Sequence, residues 1–94
     1  MFKVELCFDT DHIEQKVLDG MCAETDAIFE GENLRCSEKK KGRRVYLDCG
    51  SKQDYGRFWA AIFALKDNEN IVANLKECFW CNGSNRENLL TDFF

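Results

Sequence analysis

Residues 2–8 alternate between apolar side chains and charged or small ones. The apolar members of this stretch are Phe2, Val4, Leu6 and Phe8. Successive side chains of a β-strand point to opposite faces of the sheet, so a period of two places all four on one face. The pattern therefore predicts a strand with one buried face at the beginning of the chain.

A helical spacing follows this strand. Apolar residues recur every four positions at Ile13, Val17 and Met21, which is the spacing of a single helix face. Asp11 and Glu14 lie three residues apart, as the two partners of a capping box do at a helix N-terminus. We predict an amphipathic helix over about residues 10–24.

Alternation returns within residues 27–49 and predicts a β-hairpin. The apolar residues at every second position are Leu34, Cys36, Val45, Leu47 and Cys49. Gly42 lies between the two runs and can adopt the positive φ that a short hairpin turn requires. If the apolar residues form the buried face, Arg35, Arg44 and Tyr46 lie on the exposed face.

The most pronounced helical pattern covers residues 52–66. Its bulky apolar side chains are Tyr55, Phe58, Trp59, Ile62 and Leu65. Ser51 and Asp54 supply polar groups for capping its N-terminus. Phe63 widens the apolar stripe, which has two interpretations. The aromatic side chains all belong to the core, or some of them are exposed for self-association or for a partner.

Residues 71–81 fit two patterns. Their apolar spacing fits a helix that ends at Asn82 and Gly83, a common signal for a helix C-terminus, and it also alternates as in a strand. We favour the helix because the segment Ala73–Glu77 contains no β-branched residue. Ser84 and Glu87 then have the spacing of a capping box ahead of a short C-terminal helix.

The predicted order of elements is β-α-β-β-α, followed by either α-α or β-α. This order indicates an α+β fold with an antiparallel sheet of three to four strands and helices packed on one face. The β-α version would be a ferredoxin-like arrangement with an added C-terminal helix. Ninety-four residues are enough for one domain, so we predict a single α+β domain over residues 1–94.

Composition restricts the class of protein. A hydrophobic content of 45% and a charged content of 32% are typical of globular domains. The chain has no apolar run of 18 residues, and its charged N-terminus lacks the apolar region of a signal peptide. We therefore expect a cytoplasmic protein without membrane association, in which the six cysteines are reduced.

The charges are distributed unevenly, with a cluster of basic residues at the predicted hairpin turn. The cluster consists of Lys39, Lys40, Lys41, Arg43 and Arg44. The remainder of the chain is acidic, and the whole carries a net charge of −4. With Arg35 and Tyr46 on the same exposed face, the cluster is the candidate surface for an acidic protein or a nucleic-acid backbone. The structural alternative is a solvated turn whose like charges discourage pairing between sheet edges.

Other candidate chemistry is limited. Cys78 and Cys81 form a C-x-x-C pair, which indicates either a zinc ligand pair, a redox pair or two core residues. A zinc site needs two further ligands at suitable spacing, and the sequence contains no second C-x-x-C. The single histidine, His12, stands in an acidic segment that lacks the ligand spacing of a calcium loop. We predict no catalytic residues, no cofactor and no metal.

These observations favour a small non-catalytic binding or regulatory protein. Its partner would be an unidentified protein or a second copy, contacted through the basic hairpin, the aromatic helix or both. A first alternative is binding of a nucleic-acid backbone through residues 39–44. A second alternative is a thiol protein that binds zinc or changes redox state through Cys78 and Cys81.

Overall fold

The computed structural model describes residues 1–94 and contains one antiparallel five-stranded sheet with four helices. The elements are β1 (Phe2–Phe8), α1 (Gln15–Glu30), β2 (Arg35–Lys40), β3 (Arg43–Leu47), α2 (Asp54–Lys66), α3 (Glu69–Ala73), β4 (Leu75–Asn82), β5 (Asn85–Asn88) and α4 (Leu89–Asp92). The predicted α+β class is confirmed, with a sheet one strand larger than expected. No helix has both the length and the apolar content that crossing a bilayer requires.

The strand order across the sheet is β2-β3-β1-β4-β5. The central strand, β1, pairs antiparallel with β3 on one side and with β4 on the other, so that Val4 lies opposite both Tyr46 and Trp80. The two hairpins β2–β3 and β4–β5 form the two halves of the sheet. The ferredoxin-like assignment stays a prediction.

The core lies between one face of the sheet and the helices. Val4, Leu6 and Phe8 are fully buried, which confirms the face predicted for β1. Phe58 of α2 and Phe29 of α1 join them in one hydrophobic cluster of 18 buried residues. Full burial of a side chain of this size stabilises a fold by about 1.5–3 kcal/mol, so these contacts dominate the packing energy.

Helix α1 begins later and ends later than predicted. It runs over Gln15–Glu30 and not over residues 10–24, and its N-cap residue, Glu14, makes no side-chain capping bond. The prediction that Asp11 and Glu14 form a capping box is therefore wrong. The carboxylate of Asp9 instead accepts the Asp11 N–H at 3.3 Å, and its other oxygen lies 3.1 Å from His12 Nδ1, which organises the turn before the helix.

The buried face of α1 also differs from the prediction. Its buried residues are Leu18, Met21, Cys22, Thr25 and Phe29. Val17, which was expected in the apolar stripe, is 53% exposed. The sequence contains two overlapping apolar spacings, and the helix buries the one that reaches Phe29, because the added turns to Glu30 extend the contact with the sheet.

The β2–β3 hairpin turns at Lys41 and Gly42, as predicted. Gly42 has φ 71°, a conformation that other residues rarely adopt. A Cβ atom at this position would collide with the side chain of Thr10. A bulge between Cys36 and Glu38 changes the register within the hairpin. Glycine is thus required here by both backbone conformation and close packing.

The structure of residues 71–82 differs from the helix that the sequence favoured. Helix α3 ends at Ala73, and Leu75–Asn82 forms β4, so the helix prediction is wrong for most of the segment. Strand β4 pairs along the whole of β1, which supplies backbone partners that no local pattern reveals. Cys78 and Trp80 consequently face the core, where both are buried.

The signals after β4 also have other roles than predicted. Gly83 has φ 63° and begins the two-residue turn between β4 and β5, so it is not the end of a helix. Ser84 and Glu87 form no capping box, because residues 85–88 are a strand. The cap of α4 is Asn88, whose side chain accepts the Leu90 N–H at 3.0 Å.

Helix α2 starts at a buried carboxylate. Asp54 has no solvent-exposed surface, and its Oδ2 accepts the N–H groups of Cys49 at 2.9 Å and Ser51 at 2.8 Å. Burial alone would raise the pKa of Asp54, but these backbone donors and the Arg57 guanidinium together hold it below its ordinary value. The carboxylate thereby connects the loop after β3 to the first turn of α2.

This carboxylate makes stability dependent on acid. Because the folded pKa of Asp54 lies below the unfolded value, its contribution is complete above about pH 4 and is lost as pH falls through the folded pKa. We expect Asp54→Asn to lower the free energy of unfolding at pH 7 by about 1–3 kcal/mol and to reduce the loss of stability between neutral and acidic pH. Urea denaturation across this pH range measures both effects. Asp11→Asn, at an exposed carboxylate, serves as control, and equal acid dependence in both variants would contradict the assignment.

Candidate functional site

The hairpin distributes the basic cluster over two faces of the sheet. Lys39 lies opposite Arg44 in the ladder, and Lys40 lies opposite Arg43. Arg44 also pairs with Leu6 of β1, which places it on the helix-covered face, whereas Arg43 pairs with Cys7 on the other face. The five residues therefore do not form one continuous basic surface.

On the helix-covered face, the basic side chains meet the carboxylate of Asp26 on α1. Arg44 Nε lies 3.1 Å from Asp26 Oδ1, and both side chains are only 13% exposed. Lys39 Nζ lies 3.6 Å from Asp26 Oδ2 and 4.0 Å from Glu30 Oε1. Since charges that are largely removed from water require a partner, the contact between Arg44 and Asp26 is part of the fold.

Tyr46 belongs to the same cluster and not to an exposed surface. Its side chain is fully buried, its hydroxyl donates to Asp26 Oδ1 at 2.6 Å, and its ring stacks on Phe29 with a centroid distance of 4.0 Å. Burial, assisted by the Asp26 carboxylate, raises the pKa of Tyr46 far above its ordinary value. The predicted role of Tyr46 as an exposed binding residue is wrong, because its pairing with Val4 turns it towards the core.

On the opposite face, Arg43 and Lys40 also meet carboxylates of the same chain. Arg43 Nε lies 2.7 Å from Glu38 Oε2, and Arg43 Nη2 lies 4.0 Å from Glu5 Oε2. Lys40 Nζ lies 3.6 Å from Glu38 Oε1. The hydrogen bond from Arg43 is the main cause that lowers the pKa of Glu38. Glu5 also binds Lys3, at 2.8 Å, so the face carries alternating charges.

Two predicted site residues remain free of ion pairs. Lys41 is exposed at the turn, and Arg35 is exposed at the start of β2. Lys39 and Lys40 keep 54% and 70% of their side chains exposed in spite of their partners. The hairpin tip therefore retains a small basic surface, far weaker than five unpaired cations would produce.

The C-x-x-C pair is divided between the two faces of β4. Cys78 lies opposite Leu6 on the core face, and Cys81 lies opposite Lys3 on the other face. Burial raises the pKa of the Cys78 thiol to about 12, which disfavours the thiolate that redox and metal chemistry need. No group of three or more histidine, cysteine or acidic side chains is arranged to hold a metal ion. The thiol hypothesis thus lacks the convergent geometry on which it depends.

A different surface, the outer side of α2, was only partly recognised in the sequence. Its residues are Gly56, Ala60, Phe63 and Ala64, and all four are exposed. They lie on the side of the helix opposite Phe58, which is fully buried. The sequence signal for this side is the recurrence of small residues every four positions, beside the aromatic stripe.

Aromatic side chains flank this outer side of α2. The Trp59 ring lies between Tyr55 and Phe63, with centroid distances of 6.4 and 6.2 Å, and Phe93 from the segment after α4 packs against Trp59 at 5.5 Å. Tyr55 is 50% exposed and Phe63 is 54% exposed. Part of the aromatic stripe is therefore core, and part of it is accessible to another molecule.

No known protein family, curated protein or solved structure matches this chain.

The Asp26 cluster predicts a specific loss of stability. Asp26→Asn removes the charge that compensates the largely buried Arg44, so we expect the free energy of unfolding to fall by about 1–3 kcal/mol. Glu30→Gln is the matched control, because the Glu30 side chain is exposed and its ion pair with Lys39 is long, at 4.0 Å, so we expect a change below about 0.5 kcal/mol. Urea denaturation at neutral pH measures both variants. Equal losses would show that Asp26 acts only as another surface charge.

Proposed function

We propose that this protein is a non-catalytic, cytoplasmic binding module that contacts another protein chain through the outer side of α2. The observation that carries this proposal is the exposure of Phe63, at 54%, on a side of the helix that also presents the exposed small residues Gly56, Ala60 and Ala64. None of these four residues is charged or polar.

Charged and polar residues cover the solvent-facing side of a helix in most globular proteins, while apolar residues face the core. An exposed aromatic side chain beside small residues instead offers apolar area that a partner can bury, and aromatic residues supply much of the binding energy in protein interfaces. The small residues allow another chain to approach the helix closely.

The surroundings of three polar groups with perturbed pKa values support binding over catalysis. Perturbed pKa values mark active sites when the groups converge in a cleft. Here Asp54 accepts backbone N–H groups, Tyr46 is bonded to Asp26, and Glu38 is paired with Arg43. Each of these perturbations is accounted for by a contact that holds two elements of the fold together.

Nucleic-acid binding through the hairpin tip is the second candidate. It is favoured by one observation, namely that Lys41 is unpaired while Lys39 and Lys40 remain largely exposed beside it. The carboxylates of Glu5 and Glu38 on the adjoining face oppose it, because they repel a phosphate backbone that extends beyond the turn. Any such contact would be short and sensitive to salt.

Capture experiments with matched variants distinguish the two candidates. The immobilised protein is exposed to an extract of the native host, with and without nuclease, and the retained proteins are quantified. We expect Ala60→Glu to reduce retention at least about tenfold, because a buried unpaired charge opposes the contact. Ala23→Glu, at an exposed alanine of α1, should retain the same proteins as the native chain.

The result that would overturn the α2 proposal is retention unaffected by Ala60→Glu. If retention instead disappears with nuclease, or when Lys39, Lys40 and Lys41 are all changed to Ser, the nucleic-acid candidate replaces it. Circular dichroism and the urea midpoint confirm that each variant is folded.

A further inference from the structure

Gly56 lies inside helix α2 without an internal reason to be glycine. Its φ is not positive, and a Cβ atom added to it would meet nothing within 4 Å apart from the neighbouring backbone of its own helix. Glycine weakens the interior of a helix relative to alanine. Neither a turn nor close packing within the chain explains this residue, so the space above it is open to a group from outside.

Phe63 is a side chain of the same chain that fits such a space. It projects from the same side of α2 as Gly56, seven residues further along, which is about 10 Å on a helix. Ala60 lies between them, four residues after Gly56 and three before Phe63. If a second copy of α2 lies antiparallel across Ala60, each Phe63 ring covers the Gly56 of the other copy. Both contacts form together, as a two-fold interface requires.

Charges at the two ends of this surface fit the same antiparallel arrangement. Lys52 and Asp67 are exposed and make no ion pair within the chain. Lys52 stands eight residues before Ala60, and Asp67 stands seven residues after it. Lys52 lies in the turn directly before α2, and Asp67 caps its C-terminus, so an antiparallel pair of helices places each Lys52 at the same end as the Asp67 of the other copy, whereas a parallel pair would place like charges together. Antiparallel helix dipoles also attract each other.

We propose that the partner bound by the outer side of α2 is a second copy of this chain, held in an antiparallel α2–α2 contact with Phe63 seated over Gly56. This inference rests on the proposed function, since it names the partner of the same surface. A single helix pair buries less area than the roughly 1,200 Å² of stable interfaces. We therefore expect a dimer that forms in a concentration-dependent manner and dissociates on dilution.

Sedimentation velocity over a range of protein concentrations tests the contact between Phe63 and Gly56. We expect Phe63→Ala to raise the dimer Kd about tenfold or more, because it removes the inserted ring. Gly56→Ala should also raise the Kd, because a methyl group occupies the space over the helix, although the same change raises the Tm of the monomer. The combination of higher Tm and weaker association excludes unfolding as the cause.

Two matched controls accompany these variants. Val17→Ala removes an apolar side chain of similar exposure, 53%, from α1 and should leave the Kd unchanged. Gly20→Ala should raise the Tm in the same way as Gly56→Ala, since its Cβ atom also meets nothing within 4 Å, and should leave the Kd unchanged. If Gly56→Ala and Gly20→Ala both leave the Kd unchanged, the proposed seat of Phe63 is wrong.

A charge exchange tests the antiparallel direction. Lys52→Glu and Asp67→Lys should each weaken the dimer, and the chain that carries both changes should recover the native Kd. Failure of the double variant to recover would overturn the antiparallel arrangement. A native chain that remains monomeric up to millimolar concentration would overturn self-pairing altogether.

Self-pairing and the α2 contact surface can fail independently of each other. If the chain is monomeric but capture of another protein still depends on Ala60, self-pairing is wrong and the α2 contact surface stands. If capture and association are both insensitive to changes at α2, both proposals are wrong.

Discussion

The carboxylate of Asp26 lies at the junction between helix α1 and the β2–β3 hairpin, and three side chains of the hairpin converge on it. It accepts the Tyr46 hydroxyl at 2.6 Å, binds Arg44 at 3.1 Å and attracts Lys39 at 3.6 Å. Because Arg44 and Asp26 are both largely removed from water, each requires the other. This pairing positions Tyr46 against Phe29 and thereby seats α1 on the sheet.

The ion pair between Asp26 and Arg44 also changes the functional interpretation of the basic cluster. Along the chain, the basic cluster is separate from an acidic remainder, which suggested a surface for an external anion. In space, Asp26, Glu30 and Glu38 supply anions of the chain itself to that cluster. Most of the positive charge therefore stabilises the fold. It does so through ion pairs that join the hairpin to α1 and through ion pairs within the hairpin on the other face of the sheet. The proposed contact surface consequently moves to α2, where Phe63 packs against Trp59 and Phe93 but keeps half of its surface exposed beside Ala60 and Ala64.

Several features were predictable because they depend on local chemistry. The buried face of β1 follows from alternation, the hairpin turn follows from Gly42, and the inner side of α2 follows from the spacing of Phe58 and its neighbours. The predictions are wrong where a pairing partner distant in the sequence determines the local structure. The alternation predicts the wrong face for Tyr46 because no local feature reveals its pairing with Val4, and the helix prediction for β4 is wrong because its partner strand lies more than sixty residues away. The candidate site was likewise predictable as a cluster of charges but not as a set of ion pairs.

By itself the sequence determined which segments have one apolar face, where the chain turns tightly, and which charges the protein carries. These properties depend on spacing of a few residues and on the conformational freedom of single residues such as Gly42. Only the tertiary structure decided which face of each hairpin strand meets the helices, which carboxylate compensates Arg44, and that Cys78 and Cys81 lie on opposite faces of β4. The reason is that hydrogen bonds between strands and pairing of buried charges join residues that are distant in the chain, and no local pattern specifies those partners.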